Sequence, residues 1–156
     1  MNDWSRSLAD VPCNCDDLNM RILVVGEGSW KCDELATSIV RRLITRYGQE
    51  IVIVHGDPTG VVESFQVACK KLGIRTETRV PDWMIGAPPL RLRTDELFNG
   101  GVDVCIAVHR FIGICHRTFD CVRRAVQIGI STFLIDADNT APRRIRKDDP
   151  ILRLWL

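Results

Sequence analysis

"VIVHGDPTGVVESF", Val52 to Phe65, passes from a β-branched apolar run through a loop holding two glycines and a proline into residues with helical spacing. Strand, glycine-punctuated turn and helix start, in that order, form the repeating unit of α/β folds. The same unit presents backbone N–H groups to a phosphate. Gly56-x-x-x-Gly60 therefore raises two expectations together, a fold and a candidate anion cradle, since glycine permits both positive φ and close approach of a ligand.

The unit recurs on either side. "MRILVVGEG", Met20 to Gly28, is a continuous apolar run ending in glycines, the pattern of a strand buried on both faces. Leu35, Ala36, Ile39, Val40, Leu43 and Ile44 then recur at three- and four-residue intervals with Arg41, Arg42 and Arg46 between them, which predicts an amphipathic helix closing near Tyr47-Gly48. Ile51 to His55 reads as the second strand. Val61, Val62, Phe65, Ala68, Cys69 and Leu72 mark the helix after it, with Gly73 placed to end it. Ile74 to Val80 alternates apolar and polar residues, a third strand with one face partly wet, stopped by Pro81. The proline-rich section that follows is compatible with helix only from about Pro89 to Phe98.

Val102 to Val108 predicts a fourth buried strand, residues 118–128 a helix with Val122, Ala125 and Val126 inward, and Ile130 to Ile135 a fifth strand. This alternation predicts a Rossmann-like, doubly wound α/β domain over residues 20–136: a mainly parallel five-stranded sheet with helices on both faces. Residues 1–19 read as an N-terminal arm and 137–156 as a C-terminal tail. The tail's apolar end, Ile151, Leu152, Leu154, Trp155 and Leu156, reads as docking on a neighbouring subunit, so a homo-oligomer is expected.

With 156 residues, 46% hydrophobic and 26% charged, the chain is sized for one domain with a real core. A formal net charge of +1 gives no overall pull toward nucleic acid or anionic lipid, and "RRIRK", Arg143 to Lys147, adjoins Asp148-Asp149 and reads as a solvated run. No apolar stretch approaches the length of a membrane span and no secretion-signal layout is visible, so a cytoplasmic location is expected. Seven cysteines is an odd count, and Cys32, Cys69, Cys105 and Cys121 fall in periodic segments where thiols act as small hydrophobes. Cys13-x-Cys15 lacks zinc-site spacing and Cys115-His116 needs a distant partner, so no metal and no resident cofactor are expected.

In open parallel sheets ligands bind beyond the carboxyl ends of the strands. Gly26 to Trp30, His55 to Gly60, Ile85 to Arg93 and His109 to Thr118 all fall there. In the first two loops the candidate ligand-binding residues are Gly26, Glu27, Gly28, His55, Gly56, Asp57, Thr59 and Gly60. Arg91 and Arg93 follow Pro88-Pro89, where a guanidinium fork suits a phosphate or carboxylate, and His109, Arg110 and Thr118 complete the rim. Glu27 and Glu63 are the carboxylates that a hydrolytic reading would use.

In "RILVVGEGSW", "HGDPTG", Pro81-Asp82-Trp83, "PPLRLR" and "IAVHRF" with "CHRTFDCVRRAVQIGI", the chain resembles the YspA-like branch of the SLOG superfamily, Rossmann-like domains related to the LOG and DprA proteins. The resemblance runs from about Met20 to Asp136. It implies a pocket for a nucleotide or nucleotide-derived ligand, lined by Gly26, Gly56, Gly60, Arg91, Arg93 and Thr118. The chain departs from the family at Asp57, Val62, Leu92, Arg117 and Gly28. Asp57 would repel an anion unless Arg110 or Arg117 offsets it. The LOG-type proline-glycine-glycine loop with its glutamate is absent from "VHRFIGICHRT". The expected function is binding of a nucleotide-like small molecule, in the manner of a sensor. The alternatives are a LOG-like nucleotide N-glycosidic hydrolase and DprA-like nucleic-acid binding.

Overall fold

Strand β1 (Arg21–Gly26) runs through the middle of the sheet in the computed structural model, with β2 (Val52–His55) on one side and β4 (Val104–Val108) on the other, both parallel to it. The structure describes residues 20–56, 59–79, 97–98, 100–110, 116–136 and 142–153. Beyond β2 lies β3 (Arg75–Thr78), parallel and at one edge. Beyond β4 lies β5 (Ser131–Ile135), also parallel, and then β6 (Arg143–Ile145), antiparallel, at the other edge. The sheet thus has six strands among the described residues rather than the five expected. β6 comes from the segment read as a tail. Its two arginines and single inward Ile145 are too few and too polar to register as a strand pattern, and pairing with β5 supplies what the pattern lacks.

Three helices among the described residues cover the two faces. Helix α1 (Asp33–Tyr47) turns Ala36, Ile39, Val40 and Leu43 inward and carries Asp33 and Glu34 in its first turn and Arg46 in its last, in keeping with the helix dipole. Helix α2 (Val61–Leu72) packs beside it, and Gly73 ends it in the left-handed conformation that the sequence predicts. Both lie over Ile22 and Val24 of β1, Ile53 of β2 and Val104, Ile106 and Val108 of β4. Helix α3 (His116–Gln127) covers the opposite face, where Phe119, Cys121, Val122 and Ala125 meet Leu23, Val25, Cys105 and Ala107. The near-continuous burial of β1, β2 and β4 follows from this two-sided cover. Each fully buried Ile or Leu contributes about 1.5–3 kcal/mol.

β3 is wetter than its alternation suggested, because nothing pairs with its outer side among the described residues and three of its four residues are exposed. Of the helix expected at about 89–98, Leu97 and Phe98 are helical and the remainder lies outside the described residues. A short 3-10 helix (Pro150–Arg153) closes the described chain, and its Ile151 and Leu152, partly buried, pack against the α3-side core, while Leu154, Trp155 and Leu156 lie outside the described residues. Cys32, Cys69, Cys105 and Cys121 are buried and none is in a disulfide.

Two polar anchors escaped the sequence reading. Buried Ser64, in the first turn of α2, accepts the Cys32 amide at 2.9 Å and ties the start of α1 to the start of α2. Arg79, its side chain only 7% exposed, donates to the carbonyls of Leu97 (2.9 Å) and Gly101 (3.0 Å) and pairs with Glu77, pinning the returning chain to the end of β3. Neither pairing is visible in a one-dimensional pattern.

Candidate functional site

The strand order reverses between β1 and β4: the chain winds outward from β1 through β2 to β3, then crosses to β4 and winds the other way. At such a switch point the loops leaving the two strands diverge to opposite faces and leave a crevice. Here Gly26 to Trp30 leaves β1 and His109-Arg110 leaves β4. The loop after β2 joins them, since the Val61 amide donates to the Glu27 carbonyl at 3.1 Å. Gly28, Thr59 and Arg110 are exposed at this rim, while Glu27, Trp30, Gly60 and His109 are buried in it.

Glu27 organises this rim. Its carboxylate, 11% exposed, accepts from the Arg110 amide (3.3 Å), from Arg110 Nε (3.2 Å), from Arg110 Nη2 in a short ion pair, and from the Ser29 hydroxyl (3.1 Å). The guanidinium hydrogen bonds outweigh burial and, with the Arg110 amide and Ser29, bring the Glu27 carboxyl down to about 2. The Arg110 guanidinium lies over the Trp30 ring, 4.9 Å from its centroid. His109 Nδ1 stands 3.7 Å from the same carboxylate, but burial lowers its pKa more than Glu27 raises it, with Arg110 adding to the fall. The imidazole is therefore neutral at pH 7.

This geometry carries a pH consequence. Glu27 is depressed from 4.5 to about 2, so the pair's contribution is complete above about 4.5 and is lost as the pH falls toward about 2, where the unfolded chain binds a proton that the folded state refuses. With Arg110 42% exposed, solvent screening reduces the effect. Urea titrations between these pH values should show wild type losing about 1–2 kcal/mol more stability than Glu27→Gln. Parallel pH profiles would show that the pair does not couple to folding.

The expected cradle of unpaired amides is only partly present. The amides of Glu27, Trp30, Val61, Val62, Ser64, His109 and Arg110 all donate within the protein. Those of Gly28, Ser29 and Gly60 have no acceptor among the described residues. The glycines divide in the same way. A Cβ on Gly26 would lie 2.6 Å from the Val108 carbonyl oxygen and 2.6 Å from Val61 Cγ1, so packing alone requires glycine there. A Cβ on Gly28 would meet only Thr59 Oγ1, at 3.4 Å, and neither its φ nor its packing demands glycine.

The remaining candidates are distributed differently. His55 is fully buried, with Nδ1 2.8 Å from the Gly56 carbonyl and Nε2 3.3 Å from the Gln66 side-chain amide, so its ring is bonded inside the fold. Thr118 is buried in the first turn of α3. Glu63 pairs with Lys31 at 3.4 Å on the surface. Asp57, Arg91, Arg93, Cys13, Cys15 and Cys115 lie outside the described residues. Ser29 and Trp30 lie in the loop that the sequence marks at the carboxyl edge but were not named as candidates. A tryptophan directly after Gly-Glu-Gly-Ser was the available signal, but its arginine partner is 80 positions away in the chain.

The sequence matches no protein-family model and no curated protein. By structure the chain is similar to the Moco carrier protein from Chlamydomonas reinhardtii, with a TM-score of 0.52 at 15% sequence identity, covering 78% of this chain and 79% of that one. At this identity the likeness is one of fold, and it agrees with the Rossmann-like α/β architecture. Among the described residues no helix is long and apolar enough to cross a membrane.

Proposed function

We propose that the protein binds a nucleotide or nucleotide-derived small molecule in the crevice between the carboxyl ends of β1 and β4, as a binding or sensing domain. The observation that carries this reading is the convergence, at the sheet's switch point, of the Glu27–Arg110–Trp30 cluster with the exposed Gly28 and Ser29, whose amides have no acceptor among the described residues. Amides of this kind suit an anionic group, and the ionised Glu27 suits a ligand hydroxyl or amino group. The resemblance of the loops to YspA-like SLOG domains supports a nucleotide-like ligand, and the fold shared with a protein that carries Moco is compatible with small-molecule cargo.

The hydrolase reading draws less support. A carboxyl group at about 2 holds no proton to donate at neutral pH and is a weak base, and Glu63 is engaged with Lys31. Nucleic-acid binding through "RRIRK" is likewise less supported, because Arg143 is paired with Asp149 and Arg144 donates to Ser131.

A thermal-shift panel of nucleoside mono-, di- and triphosphates and cyclic nucleotides tests the proposal. A ligand at a hundred times its Kd stabilises by about 2.7 kcal/mol, a rise of roughly 5–10 °C for a chain of this size. Gly28→Leu should leave the unliganded Tm nearly unchanged and abolish that rise. A panel with no response would overturn the reading.

A further inference from the structure

We infer that Thr59 sets the preference of this rim for phosphorylated ligands. Its hydroxyl and the amides of Gly28 and Ser29 form one subsite, and a phosphoryl group of the ligand occupies the space that Gly28 leaves by having no side chain. The inference rests on the small-molecule reading above and names the part of the ligand that the two loops recognise together.

Contact between the loops after β1 and β2 builds the subsite. Gly60, buried and at φ +53°, lets them touch: a Cβ there would lie 2.5 Å from the Gly28 carbonyl carbon, and the next amide, of Val61, donates to the Glu27 carbonyl at 3.1 Å. Thr59 thereby comes to stand beside Gly28. The position that a Cβ on Gly28 would take is 3.4 Å from Thr59 Oγ1, and within 4 Å it meets nothing else among the described residues beyond the chain neighbours of Gly28. A ligand oxygen set in this space needs to move only about half an ångström toward the hydroxyl to reach ordinary hydrogen-bond distance.

The groups around this space are donors. Thr59 is exposed, and its hydroxyl has no hydrogen-bond partner among the described residues. On the other loop the Trp30 amide closes on the Glu27 carbonyl at 3.4 Å, which leaves Gly28 and Ser29 exposed at the corner of the turn, their amides without an acceptor among the described residues. Those amides belong to the two peptide units that join at Gly28 Cα, so they flank the vacated position. The Ser29 hydroxyl donates to the Glu27 carboxylate instead. Two amides and a hydroxyl suit an acceptor-rich group, and a phosphoryl group offers two or three unbridged oxygens where an alcohol offers one. Of the three donors, only the Thr59 hydroxyl can be removed without altering the backbone, and its removal changes no charge.

The test is calorimetric titration of the full chain with the four common ribonucleosides, their 5′-monophosphates and their 3′,5′-cyclic monophosphates. Wild type is expected to bind at least one phosphorylated form about tenfold more tightly than its parent nucleoside. Thr59→Val should weaken that form about tenfold and leave the nucleoside within about twofold of wild type, and Thr59→Ser should restore the preference. Gly28→Ala, which puts a methyl group into the vacated space, should weaken the phosphorylated form in the same selective way. Such a loss in either the monoester or the cyclic arm supports the inference and tells which kind of phosphoryl group the subsite takes. Unchanged binding of the phosphorylated form by Thr59→Val or Gly28→Ala, or an equal loss for nucleoside and nucleotide, would overturn it. Wild type binding nucleosides as tightly as their phosphates refutes the subsite alone. No binding of any probe by wild type refutes the subsite and the function together.

Discussion

Gly60→Ala is expected to lower the stability of the unliganded protein by about 3–5 kcal/mol, a fall in Tm on the order of 10 °C. Two costs add. Gly60 has φ +53° and ψ −117°, a conformation that a residue with a Cβ adopts only under strain. The added Cβ would also lie 2.5 Å from the Gly28 carbonyl carbon and 2.6 Å from its oxygen, and closer still to the Glu27 carbonyl oxygen. All three are backbone atoms of the neighbouring loop, which cannot swing aside as a flexible side chain can. Denaturant unfolding of Gly60→Ala beside Gly28→Ala separates turn chemistry from ligand chemistry, since Gly28→Ala should stay within about 0.5 kcal/mol of wild type. A Gly60→Ala protein of unchanged stability would show that the two loops do not pack as described.

Arg79→Ala should cost about 3–4 kcal/mol. The guanidinium is almost wholly buried and supplies charge-assisted hydrogen bonds to two backbone carbonyls, at Leu97 and Gly101, besides its ion pair with Glu77. Each such bond to a charged donor is worth about 1.5–3 kcal/mol, and truncation leaves both carbonyls without it. Arg79→Lys should recover only part, because one ammonium cannot span both acceptors as a planar fork does. The effect should also reach the β2 loop, where a Cβ on Gly56 would stand 3.2 Å from Leu97 Cδ2. Urea unfolding, together with hydrogen exchange at residues 97–101, measures both. A loss below 1 kcal/mol would mean that the crossover is anchored elsewhere.

Much of the fold was legible because its signals are local. The apolar run of Ile22 to Val25 admits only a strand covered on both faces. The three- and four-residue spacing from Ala36 to Leu43 admits only a helix with one apolar stripe, and Gly73 ends its helix for a reason that involves no distant residue. β6 was not legible, because three residues with one inward side chain carry no period; it is a strand only because β5 offers an unpaired edge. Among the candidate residues, Glu27, Gly28 and Arg110 were marked by their place after β1 and β4. The same reasoning also selected His55, whose buried ring is bonded to Gly56 and Gln66.

By itself, then, the sequence determined the alternation of strands and helices, the loops that crowd the carboxyl edge, and the near-neutral charge that gives no overall pull toward nucleic acid or anionic lipid. Those properties depend on periodicity, turn residues and composition, which are additive along the chain. Only the tertiary structure decided that Glu27 binds Arg110 and that Trp30 backs it, that Gly26 and Gly60 serve packing while Gly28 is left free of that demand, and that Arg79 holds the crossover. Each of these is an interaction between residues far apart in the chain. It arises only when the sheet is wound, because strand order, not sequence spacing, makes β1 and β4 neighbours.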